Sequence, residues 1–217
     1  MAISTAVSRF ADYYRRKGLG ATLQRAGVAV KRSLFSGRSV LFYCDLATQG
    51  TPPRDLPSFL SVERKRSFTE LSGEDLEEMI SFWNPKLARR NMTERFGLGA
   101  SLWLIKSREK LAGYGWTLEG KTVEPHYFSL GQNDVHLFDF HVFTQYRGQG
   151  MNPFLVTSIL SILATEGAGR AFIEAGEWNQ AQLTSLAKTP FRRLGMARKF
   201  TIWGRTIVLW DKNGRRA

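Results

Sequence analysis

Apolar side chains recur at helical spacing through the first 34 residues. Ile3, Ala6, Val7, Phe10, Tyr13 and Tyr14 fall three or four apart, which predicts a helix over residues 3–16. Gly18-Leu19-Gly20 interrupts it, and Leu19, Leu23, Ala26, Val30 and Leu34 form the apolar face of a second helix. After Ser36-Gly37-Arg38 the pattern changes to a continuous apolar run over residues 40–46, the length of a buried strand. Three prolines and a glycine between Thr48 and Pro57 then read as a linker.

From Ser61 onward the pattern alternates between the two periods. Residues 61–69 read as a strand. Ser72-Gly-Glu-Asp-Leu opens a helix with acidic residues in its first turn, Pro85 breaks it, and a second helix runs to about Phe96. Residues 101–105 and 111–118 form a hairpin, and 137–143 a further strand. A helix over 154–163, a short buried strand over 170–175, a helix over 179–188 and a strand pair within 198–210 complete the order. This predicts an α/β fold: a mixed, mostly antiparallel sheet flanked by helices, with an N-terminal helical extension. The expected division is residues 1–50 as basic amphipathic helices plus one strand, 51–60 as linker, and 61–217 as one folded unit.

Composition fits that picture and narrows the setting. The 217 residues are 43% apolar and 12% aromatic, enough for a globular core. No run of 18 apolar residues exists, which excludes a membrane-spanning helix. No apolar leader precedes the Arg15-Arg16-Lys17 cluster, and a single cysteine, Cys44, has no disulfide partner in the chain; both point to the cytoplasm. No metal-ligand cluster of the usual spacing occurs, so no metal is expected. Residues 1–38 hold eight Lys and Arg against Asp12 alone, so +7 of the net +12 lies there. A basic amphipathic segment suits an anionic membrane surface at the inner face. Nucleic acid is the weaker expectation, and a homodimer is left open.

The chemistry gathers where the strand ending at Phe143 meets the helix opening near Phe154. Tyr146-Arg147-Gly148-Gln149-Gly150 joins them, and a glycine-bearing turn at a helix N-terminus cradles an anion with backbone N–H groups. Arg147-Gly148-Gln149-Gly150-Met151-Asn152 resembles the acyl-CoA pyrophosphate loop of the GCN5-related N-acetyltransferase (GNAT) superfamily, with Asn152 where a small residue is usual. Glu174, Asn179, Lys188 and Phe191 fall at the spacings of a second GNAT series. The resemblance spans residues 60–211 and implies acetyl-CoA as co-substrate. Its pantetheine arm would pair with the strand at Val142 and Phe143. Its pyrophosphate would rest on Gly148, Gln149, Gly150, Met151 and Asn152 beside Arg147, with Asn179 contributing from the next helix. It further implies direct transfer, in a ternary complex, to an amine acceptor, here a small molecule or sugar amine.

Such a transfer needs a base for the acceptor amine, and His136, Asp139 and Glu174 are the candidates. His136 stands where relatives carry a general-base glutamate, six residues before Val142. Strand alternation places His136, Phe138, Phe140 and Val142 on one face and Asp139, His141 and Phe143 on the other. The tyrosine that many relatives use to protonate the leaving thiolate is Leu186 here. That departure keeps a second reading in view, a non-catalytic acyl-CoA-binding module. A third reading has the basic N-terminus associating peripherally with anionic membrane or nucleic acid.

Overall fold

One glycine in a central strand sets the geometry on which the site depends, within a sheet that the apolar pattern largely dictates. The computed structural model describes residues 38–48, 57–81, 84–202 and 205–211, with Gly18 alone before them. The helices expected over 3–16 and 19–34, and most of the expected linker, lie outside the described residues. Eight strands form one sheet: β1 (Arg38–Asp45), β2 (Leu60–Lys65), β3 (Ser101–Ser107), β4 (Lys110–Glu119), β5 (Asp134–Val142), β6 (Arg170–Gly176), β7 (Arg192–Ile202) and β8 (Arg205–Trp210). Their order is β2-β3-β4-β5-β6-β1-β7-β8. Every neighbouring pair is antiparallel except β5–β6. That parallel pair needs a crossover, which the longest described helix supplies.

The helices among the described residues are α1 (Gly73–Ser81), α2 (Pro85–Gly97), α3 (Met151–Thr165) and α4 (Gln180–Leu186). Each N-terminus has a local cause. Ser72 Oγ accepts the Asp75 N–H at 3.0 Å, and Asn84 Oδ1 accepts the Leu87 N–H at 3.2 Å with Pro85 at the start of α2. Gly150, in the left-handed region at φ 78°, caps α3. The mixed, mostly antiparallel sheet flanked by helices is the fold class that the sequence predicts.

α3 crosses one face of the sheet. Leu155, Val156, Ile159, Leu160 and Leu163 pack there against Trp103, Ile105, Val135, Leu137, Ile173 and Ala175. Val40, Phe42 and Cys44 of β1 belong to the same core, so this strand, although it precedes the expected linker, lies between β6 and β7 in the one sheet. Burial first, then the neighbouring Asp45, pushes the Cys44 thiol up to about 11 against the pull of Arg192. On the opposite face α1 and α2 set Leu76, Met79, Ile80 and Met92 over Leu102, Leu104, Trp116 and Phe143. Farther along that face Tyr127 and Phe128 cover Leu41, Ala197, Val208 and Trp210. Burying each large apolar side chain contributes roughly 1.5–3 kcal/mol, and the two layers together fix the sheet between them.

The alternation expected along β5 does not hold past Phe138. Trp116 pairs with Phe138 and Tyr114 with His141, so Gly115 alone faces both Asp139 and Phe140. This is a β-bulge, and Asp139 takes it up at φ 51°. The extra residue exchanges the faces beyond it. Phe140 and Val142 join Leu137 on the α3 side. Phe143 lies in the core under α1 and α2, and His141 packs on Tyr114 and Phe143 at 5.6 and 5.3 Å between ring centroids. His136 and His141 therefore share a face that simple alternation assigned to opposite sides.

Gly115 leaves the space that the bulge fills: a Cβ there would stand 2.4 Å from Cε1 of Phe140. Gly115→Ala is expected to destabilise the protein by about 1–3 kcal/mol through overpacking. Urea unfolding measures this, and an unchanged midpoint would show that the bulge does not need the glycine.

Candidate active site

β5 and β6 run together for four rungs, from Asp134↔Arg170 to Leu137↔Ile173. β5 then continues to Val142 against β4, and β6 to Gly176 against β1, with no further rung between them among the described residues. The bulge at Asp139 starts where the two strands part. Among the described residues no strand pairs with the edge of residues 138–142 that faces away from β4 beyond the last β5–β6 rung, a geometry that suits an extended ligand added as a strand. At the mouth, Arg147 Nε donates to the Val142 carbonyl at 3.2 Å; that oxygen keeps a second lone pair for a ligand amide.

Phe143 serves differently from its expected role. Its N–H donates to Ala112 at 3.0 Å and its carbonyl accepts from Tyr146 at 2.9 Å, so both backbone groups hold the sheet and the turn. After the 3₁₀ turn Thr144–Tyr146, Gly148 and Gly150 both adopt left-handed φ, 79° and 78°. Among the described residues, no acceptor takes the N–H groups of Gly148, Gln149, Gly150, Met151 or Asn152. A Cβ on Gly148 would meet nothing within 4 Å. An open loop of unpaired N–H groups at the start of a 15-residue helix suits a pyrophosphate. Acetyl-CoA, an extended arm ending in that anion, fits both the cradle and the open strand edge.

The side chains around the cradle are mostly committed elsewhere. Gln149 Nε2 donates to Gln145 O at 3.0 Å, and Met151 is buried in the core. Asn152 Nδ2 donates to Ser185 Oγ at 2.8 Å and its Oδ1 is buried, so this amide joins α3 to α4 and neither caps α3 nor faces the cradle. Asn179 caps α4 by accepting the Gln182 N–H at 3.2 Å, and its Nδ2 donates to Gln182 Oε1 at 3.0 Å. Leu186 is fully buried beneath α3. The cradle is therefore chiefly a backbone site.

Where β5 and β6 diverge, on the face opposite α3, three side chains meet. His136 Nε2 lies 2.9 Å from Glu174 Oε2, and His126 Nδ1 lies 4.0 Å from the same oxygen. The two imidazole centroids are 4.8 Å apart. His126 lies in the loop between β4 and β5, and three contacts hold that loop down. Tyr127 donates to Ser39 Oγ at 2.8 Å, Lys199 Nζ donates to Pro125 O at 2.7 Å, and Phe128 packs on Phe172 with centroids 5.1 Å apart. Aromatic Tyr127 and Phe128 beside His126 are the signal that this part of the connection packs on the sheet.

Exposure sorts the base candidates. The His126 and His136 side chains are 4% and 7% exposed, while that of Glu174 is 27% exposed. His126 Nε2 and His136 Nδ1 are buried with no partner, so the cluster meets solvent chiefly at the Glu174 carboxylate. Burial alone would raise the Glu174 pKa. The His136 hydrogen bond and the nearby His136, His126 and Lys199 charges outweigh that and hold it below the usual range. Asp139 is set apart: its Oδ2 pairs with Arg95 Nη1 at 2.5 Å, and that guanidinium lies over Trp116 and Phe138. One nitrogen from each imidazole and a Glu174 oxygen all lie within 4.8 Å of one another, a donor set that could hold a metal.

The fold is thus a mixed α/β sheet whose one parallel pair splays beside the glycine turn that caps α3. No protein-family profile and no curated protein matches the sequence. Solved structures match the fold. The chain is similar to a tandem GNAT protein from the clavulanic acid biosynthesis pathway, at 16% identity and a TM-score of 0.54, over 72% of this chain and 50% of that one. It is also similar to a GNAT-family acetyltransferase from Colwellia psychrerythraea, at 13% identity and a TM-score of 0.53, over 82% of this chain and 57% of that one. The chain thus spans about half the length of each. At such identities the likeness is one of fold, which the chain shares with these two GNAT proteins.

Burial chiefly, with His136 and Lys199, pushes His126 down to about 4 against the pull of Glu174. This folded value lies below the unfolded value of about 6.5, so the unfolded chain binds the proton first. Stability should fall as pH drops from about 6.5 toward 4, and His126→Gln should flatten that slope in urea unfolding followed across this range. An unaltered slope in the variant would mean that His126 is not held neutral.

Proposed function

We propose that the protein transfers an acetyl group from acetyl-CoA directly to the amine of a small molecule or sugar within a ternary complex. One observation carries the reading: the reachable carboxylate of Glu174 sits at the foot of the opening between β5 and β6, beside the strand edge that leads to the Gly148–Asn152 cradle. Acetyl-CoA supplies the activated acyl group. The N–H groups of residues 148–152 bind its pyrophosphate with Arg147 at the rim, and the open edge of β5 at Val142 orients its extended arm.

Glu174 takes the proton that the acceptor ammonium must lose before its nitrogen can attack the thioester carbonyl. His136 fixes the carboxylate through Oε2 and leaves Oε1 to face the acceptor. Backbone N–H groups on the open edge of β5 stabilise the developing oxyanion. Carbon–sulfur cleavage follows; the nitrogen gives up its second proton to solvent, and the thiolate takes one up from solvent, since Leu186 brings no hydroxyl to it. His136 and His126 act by positioning, being too buried to touch the acceptor, and Asp139 maintains the bulge through Arg95.

Buried Leu186 also favours a second reading, a module that binds acyl-CoA without turnover. Glu174→Gln separates the two. With amine panels and a CoA-release assay, it should lower kcat/KM about 10²–10⁴-fold while the acetyl-CoA Kd stays within about threefold. Release of CoA at an undiminished rate would remove Glu174 from the role, and tight acetyl-CoA binding without turnover across all panels would favour the module. Gly150→Ala tests the cradle: a side chain at φ 78° costs about 1–2 kcal/mol locally. The distorted cradle should bind acetyl-CoA at least tenfold more weakly by calorimetry; unchanged affinity would place the pyrophosphate elsewhere.

A further inference from the structure

We propose that His126, His136 and Glu174 form a site for a divalent cation of the zinc class, and that occupancy of this site silences the carboxylate as a proton acceptor. The binding half stands on geometry alone; the silencing half rests on the acetyl-transfer reading. The absence of metal-ligand spacing in the sequence does not bear on it, because the three residues come from the β4–β5 loop, β5 and β6 and meet only in the fold.

Two imidazoles and one carboxylate form a donor set that zinc takes with a fourth position left open. Zinc–ligand bonds of about 2.0–2.2 Å set tetrahedral ligand atoms roughly 3.4 Å apart. The distances of Glu174 Oε2 to His136 Nε2 and His126 Nδ1, 2.9 and 4.0 Å, bracket that separation. The strands fix two ligands, and the Tyr127–Ser39 and Lys199–Pro125 bonds hold the loop bearing the third. Partial exposure of Glu174 supplies both the entry path and the open position. Imidazole donors favour zinc-class ions over magnesium or calcium, which prefer oxygen.

The surroundings set the affinity. In resident metal sites the outward imidazole nitrogen donates to an acceptor, and loss of such a partner typically weakens binding 10–100-fold. Here His126 Nε2 and His136 Nδ1 have none. The site therefore suits an exchangeable ion. A bound dication would occupy the Glu174 lone pair and lower the basicity of the carboxylate, so metal and proton transfer compete for one group.

The test uses the untagged full chain, stripped with a chelator and titrated with zinc chloride at pH 7.5 by calorimetry. One zinc per chain is expected, with magnesium chloride giving no binding. His126→Ala and Glu174→Gln should each weaken zinc at least tenfold while circular dichroism and CoA affinity stay as in the parent. No stoichiometric zinc uptake, or uptake undiminished in both variants, would overturn the site. Zinc binding that leaves acetyl transfer unaffected would overturn the silencing, and CoA binding in the same samples reports separately on the acetyl-CoA reading.

Discussion

The divergence of β5 from β6 is the constraint on which the rest of this molecule depends. Four parallel rungs join the strands, and beyond them a one-residue bulge opposite Gly115 turns β5 away. Three consequences follow from that bend. It frees a strand edge for an extended ligand, it carries the chain into the glycine turn that caps α3, and it brings Glu174 to the foot of the opening. None is available to a regular ladder, where neighbouring strands would satisfy the same backbone groups.

Around that opening the two faces divide the work. The α3 side is mostly apolar and fixes the helix whose N-terminus forms the cradle. The other side is apolar only beneath α1 and α2 and beneath Tyr127 and Phe128. Between those patches lie His126, His136, Glu174 and the Arg95–Asp139 pair. The polar groups thus occupy the stretch of sheet that neither apolar patch covers, and each is held by an element that packing has already fixed. A pair of buried imidazoles holding a part-exposed carboxylate costs desolvation, and the His136 hydrogen bond offsets that cost by keeping the carboxylate charged.

Much of this was legible in the sequence, for identifiable reasons. The runs over 137–143 and 154–163 are long and mainly apolar, so the strand, helix and intervening glycine turn stand out. The face assignment beyond Phe138 was not legible, because a bulge depends on which residue lies opposite, and Gly115 is more than 20 positions away. Nor was the role of Asn152: its amide points to Ser185 on α4, a contact between elements that no local pattern encodes. His126 was half visible. Its loop reads as polar, and only the anchoring of Tyr127 and Pro125 by β1 and β7 brings the imidazole to Glu174.

The central claim is that the opening between β5 and β6 is an acyl-CoA channel ending at Glu174. A crystal structure of the protein with acetyl-CoA tests it most directly. The account predicts pyrophosphate oxygens within hydrogen-bond distance of the N–H groups of residues 148–152. It also predicts the arm along the open edge of β5, with the thioester carbon on the side where Glu174 is exposed. Acetyl-CoA bound outside this opening, or seated in it with the thioester turned away from Glu174, would contradict it.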